Sequence, residues 1–94
     1  MLTEFEVRRH MASIDASNET PEHKARMLLR LGRSLRLQAQ ALVHAQAVAQ
    51  RASNRNAAAH MERMARSART LHEEVRATAL NNLTARKSFR FSPN

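Results

Sequence analysis

The sequence predicts an all-α protein: a short N-terminal helix, then a long antiparallel helical hairpin that dimerises into a four-helix-type bundle. Three observations lead there. The 94 residues are rich in Ala, Leu, Arg, Gln and Met, which are strong helix formers. One Gly, two Pro and few β-branched residues leave little material for turns and strands. Apolar residues recur at alternating threes and fours along two long stretches, the period of a helix face. A chain of this length makes one domain at most. That domain is expected over residues 1–86, with a basic, Phe-containing tail over 87–94.

The first helix is expected over about residues 4–15. Thr3-Glu4-Phe5-Glu6 has the form of a capping box, a Thr cap with Glu at the third helical position. Val7, Met11 and Ile14 make its apolar stripe. Ser17-Asn18-Glu19 reads as a polar linker. Thr20-Pro21-Glu22 starts the second helix: Thr caps, Pro takes the first helical position, and Glu favours the positive helix end. This helix is expected over about 21–52, up to Ser53-Asn54-Arg55-Asn56. Gly32 is the one weak point inside it, a kink or a point of close contact, since interior Gly costs about 1 kcal/mol relative to Ala. Asn54 or Asn56 caps the third helix, expected over about 57–82. Two long helices on so short a connection pack antiparallel.

One seam of the second helix holds Leu28, Leu31, Leu35, Ala39, Leu42, Ala45 and Ala49. The facing seam of the third holds Ala57, Met61, Met64, Ala68, Leu71, Val75 and Ala79. The second helix carries further apolar stripes, including Leu37, Ala41 and Val48. A helix apolar on several sides has several neighbours, and a thin Ala-rich core gains from oligomerisation. The expected assembly is therefore a homodimer. The alternative is a monomeric three-helix bundle that tolerates exposed Ala and Val.

Charge is the second signal. The net charge is +8, from 16 basic and 8 acidic residues. Residues 1–19 carry 2 basic and 4 acidic groups, residues 20–56 carry 7 and 1, and residues 57–94 carry 7 and 3. The surplus therefore concentrates on the second helix, where Lys24, Arg26, Arg30, Arg33 and Arg36 form a candidate anion-binding ridge. Arg forks match phosphate oxygens, and such a ridge can lie along a nucleic-acid backbone. Against this, the acidic first segment could neutralise the ridge as a solvated face. A GC-rich genome would also favour Arg over Lys. In the third helix, Glu62–Arg66, Arg69–Glu73 and Glu73–Arg76 are spaced to compensate one another.

Several classes are excluded. Without Cys there is no disulfide or thiolate metal site, and one Gly cannot make a phosphate loop. His60, Met61, Met64 and His72 are the only grouping resembling a metal set, and their spacing closes no site. No metal, cofactor or small-molecule substrate is expected. No Ser, His and carboxylate converge for catalysis, so the protein is not expected to be an enzyme. No apolar run approaches the roughly 20 residues of a membrane span. The acidic N-terminus does not resemble a signal peptide, which makes the expected location cytoplasmic. Phe89 and Phe91 hold two of the three aromatics; they could stack on bases, dock in a partner's groove or pack on the bundle. The leading expectation is a non-catalytic interaction, assembly or regulatory module acting as a homo-oligomer through Leu37, Ala41, Val48, Phe89 and Phe91. The rival is a low-specificity nucleic-acid binder using the Arg ridge.

Overall fold

The structure, a computed structural model, describes residues 1–90, with side chains over residues 1–84. It is all-helical: α1 spans Glu4–Ala16, α2 spans Pro21–Arg51 and α3 spans Arg55–Arg90. Helices α2 and α3 pack along their length as a hairpin, and the molecule is elongated, 63 × 21 × 14 Å. Gly32 does not break α2. A Cβ at that position would stand 3.5 Å from His72 Cδ2 and 3.6 Å from Val75 Cγ1, so Gly32 is a point of close contact with α3.

The helix ends follow from local chemistry. Thr3 Oγ1 accepts from the Glu6 amide at 3.2 Å, and Thr20 Oγ1 accepts from the His23 amide at 3.2 Å. Pro21 opens α2, where its missing N–H is harmless. The turn to α3 is a Schellman motif. The Asn54 amide donates to Ala49 O at 2.9 Å and the Ser53 amide to Gln50 O at 3.0 Å, which satisfies the last carbonyls of α2. Asn54 then caps α3, its Oδ1 accepting from the Ala57 amide at 3.1 Å. Ser53 takes a φ of 58°, the left-handed region that Gly usually fills.

Helix α3 runs past its expected end near residue 82. The stretch after Thr84 contains no Gly, and no Pro before Pro93, so nothing in it stops a helix. Residues 87–90, expected to be tail, belong to α3. The Phe89 side chain and Phe91 lie outside the described residues.

The seam between α2 and α3 differs from the one expected. On α2 the buried set is Ala25, Leu28, Gly32, Leu35, Ala39 and Leu42, with Leu31 at its edge. On α3 it is Ala58, Ala65, Ala68, Leu71, Val75 and Ala79. Ala57, Met61 and Met64, expected in the seam, are only half-buried. The buried positions follow a heptad in which one site is mostly small: Ala25, Gly32 and Ala39 on α2, and Ala58, Ala65 and Ala79 on α3, where half-buried His72 interrupts the series opposite Gly32. Small side chains there let the two backbones approach. The larger Leu31, Leu71 and Met64 lie to one side of the seam, where a third helix packs.

That third helix is α1. Val7 and Ile14 are buried in a cluster with Leu28, Leu31, Leu35 and Leu71. Its axial length is about 20 Å, against about 46 Å for α2 at 1.5 Å per residue, so it covers the half of the hairpin remote from the turn. Two polar contacts fix its start. The Leu2 amide donates to Gln38 Oε1 at 2.8 Å, and Gln38 Nε2 donates to Leu2 O at 2.9 Å. Beyond Gln38 toward the turn, the hairpin is two helices thick.

Three substitutions test this packing by chemical denaturation. Ala65→Leu, which overfills a closed site, should cost about 1–3 kcal/mol. Gly32→Ala, where a methyl meets ordinary van der Waals contact, should gain about 0.5–1 kcal/mol. Ser53→Gly should gain about 1 kcal/mol by relieving the left-handed strain. A gain from Ala65→Leu would refute the close-approach seam.

Candidate functional site: an arginine-lined groove

The hairpin has two long grooves, one on each side of the seam. Helix α1 occupies one of them. It is anchored there by Arg8, whose Nη1 and Nη2 donate to the two oxygens of Glu74 at 3.0 and 3.3 Å while Nε donates to Glu4 at 3.0 Å. These bonds, the one to Glu74 above all, raise the Arg8 pKa further. Lys24 turns to the same side, and its Nζ donates to Asp15 O at 2.8 Å. It therefore ties α2 to the end of α1 and stands apart from the ridge in which the sequence places it.

The opposite groove is basic. Arg33 and Arg36 of α2 and His72 and Arg76 of α3 line one concavity of about 380 Å³, whose remaining walls are Leu28, Leu29 and Gly32. The sequence reading expects Glu73 to compensate Arg69 and Arg76. Instead the Glu73 carboxylate lies 3.7 Å from His72 Nδ1, and among the described residues no ion pair joins Arg69 or Arg76 to a carboxylate. Of the expected α3 pairs only Glu62–Arg66 forms, at 3.0 Å.

The acidic first segment does not neutralise the ridge either. Glu4 is taken by Arg8, and Glu19 lies 3.9 Å from His23 Nε2. Among the described residues, Arg26, Arg30, Arg33 and Arg36 form no ion pair with a carboxylate. The structure thus brings Arg33 and Arg36 together with Arg76 and His72. Arg26 and Arg30 stand one to two turns earlier on α2 as exposed side chains. The part played by α3 was hidden in the sequence, because i, i+4 spacing suggested that its charges were already spent.

The apolar candidates separate as well. Leu37 and Val48 are 52% and 50% exposed, and Ala41 is exposed. Met27 holds the same heptad position as Ala41 and Val48, but it packs against the core cluster beneath α1. The difference is the cover that α1 supplies. Half-buried Ala45 and Met61 continue that uncovered groove toward the turn.

Other candidates lack convergence. His60 and His72 sit about 18 Å apart along α3, twelve residues at 1.5 Å each. No group of three or more His, Asp or Glu among the described residues could hold a metal. Another concavity, about 510 Å³ beside the turn, is lined by Gln46, Gln50, Ser53, Arg55 and Glu62 among others, a set with neutral amides and balanced charge. No helix of the described residues is long and apolar enough to cross a membrane. No protein-family model, curated protein or solved structure matches the chain.

The anchoring of α1 can be tested by amide hydrogen exchange. Glu74→Gln and Gln38→Ala should each raise exchange across α1 more than across α2 and α3. Equal acceleration in all three helices would show that α1 is not separately held.

Proposed function

We propose that the protein is a non-catalytic helical interaction module that acts as a homo-oligomer, two hairpins joining through the half that α1 leaves uncovered. The observation that carries this reading is the contrast within one groove. Where α1 lies, Leu31 is 5% exposed and Met27 is packed. Past Gln38 the equivalent positions, Ala41, Ala45 and Val48, are exposed or half-buried. This groove already accepts a helix over half its length, and a second copy of the chain offers another of matching apolar character. Only two helices and an Ala-rich seam hold that half together. Covering it adds apolar burial worth roughly 25 cal/mol per Å².

Light scattering tests this directly. The wild type should have twice the 10.7 kDa chain mass. The double variant Leu37→Glu, Val48→Glu should have the single mass with unchanged helical circular dichroism. A wild type that scatters as a monomer at high protein concentration would overturn the reading.

A second reading, backbone-directed nucleic-acid binding of low sequence specificity, is favoured by one observation. Among the described residues, no ion pair joins Arg26, Arg30, Arg33 or Arg36 to a carboxylate. Binding to random duplex DNA that falls steeply with salt would support it.

A further inference from the structure

We propose that the groove between α2 and α3 on the face opposite α1 is a discrete site for a small phosphorylated ligand, a diphosphate or a phosphate monoester. This goes beyond both functional readings, since it concerns one open concavity between two helices rather than an apolar flank or a ridge.

Convergence is the first argument. Arg33 and Arg36 approach from α2, Arg76 and His72 from α3, and all four line the same concavity of about 380 Å³. That volume lies in the range of small-ligand sites, about 300–1,000 Å³. Charge is the second. Three guanidiniums that pair with no carboxylate among the described residues exceed what a single carboxylate would neutralise. They suit a group with two or more negative charges, and each fork can give two parallel hydrogen bonds to phosphate oxygens.

The floor supplies the third argument. The His72 ring lies over Gly32, with Cδ2 3.5 Å and Nε2 4.0 Å from where a Cβ would stand. The opposite nitrogen, Nδ1, lies 3.7 Å from the Glu73 carboxylate. Leu29, 48% exposed, provides an apolar shelf next to the arginines for the organic part of a phosphate ester. The two helices that build the site are also the frame of the fold, so the backbone positions from which the exposed arginines reach are set before any ligand arrives.

The chain contains one Gly, and it lies in the floor of the site. Its amide is therefore a single reporter in a proton–nitrogen correlation spectrum. Titrating the full chain with inorganic pyrophosphate at constant ionic strength should move the Gly32 signal saturably, with shifts confined to residues near 28–36 and 72–76. The double variant Arg36→Gln, Arg76→Gln should weaken binding by at least about tenfold, as expected on removing two charge-assisted contacts. Arg26→Gln with Arg30→Gln should cost clearly less, about threefold or under, because neither side chain lines the concavity and exposed charges that act only through water contribute weakly.

A Gly32 signal that stays fixed would overturn the proposal. So would equal losses in the two double variants, which would mean diffuse attraction to the ridge. If a duplex oligonucleotide moves Gly32 and pyrophosphate does not, the site is part of a nucleic-acid surface and the small-ligand proposal fails. Should the Arg36, Arg76 variant lose its fold, the wild-type shift map decides alone. Shifts clustered at the site sustain the proposal, and shifts spread along Arg26 and Arg30 refute it. Scattering mass is a separate readout, so failure here leaves the oligomer reading standing.

Discussion

A length mismatch governs this molecule. Thirteen residues of α1 cannot reach along the 31 residues of α2 or the 36 of α3. Where α1 lies, Val7 and Ile14 close a three-helix core around Leu28, Leu35 and Val75. Fully burying a side chain of this kind contributes about 1.5–3 kcal/mol, so the remote half is well supported. Past Gln38 the same two helices meet through Ala39, Leu42, Ala58 and Ala65. Each small side chain there buries little, and stability depends on how closely the backbones approach.

The mismatch also sorts the charge. Helix α1 takes one groove and brings its acids with it, drawing Lys24 and Glu74 to that side through Asp15 O and Arg8. The other groove is left with Arg33, Arg36 and Arg76 and no comparable acidic cover. Net charge alone pointed to a basic protein. The docking side of one short helix decides where on the surface that charge becomes usable, and it falls at the interhelical position where the two long helices present their cations together.

Much of the fold was legible in the sequence because local signals agreed. Thr3, Thr20 with Pro21, and Asn54 all act as caps, and no strand signal competed with them. The seam was read rotated to one side, for a physical reason. Periodicity weighs large apolar residues most, and Leu31, Leu71 and Met64 answer to α1 as well as to the hairpin partner. The positions Ala25, Ala58 and Ala65, which let the helices touch, carry little hydrophobic weight, and of these contact points only Gly32 stands out in the sequence. The site was half legible. The α2 arginines stood out as a run, but Arg76 and His72 belong to another helix, and pairing rules made α3 seem self-compensated. Gln38 gave no signal either, since its partner is the backbone of Leu2, thirty-six residues away.

The uneven core has a consequence for how the chain finds its structure. A hairpin closed by a tight Schellman turn invites zippering outward from that turn, because the nearest contacts cost the least loop-closure entropy. Here the contacts next to the turn are the thin ones, while the densest cluster joins Val7, Leu28 and Val75 across much of the sequence. Early pairs beside Ser53 therefore gain too little to persist by themselves. Formation of the turn end and closure of the far end are forced to coincide, so the transition is all-or-none. The same arrangement makes the turn end the first to open in the folded state, and that end is the one proposed to meet a second copy.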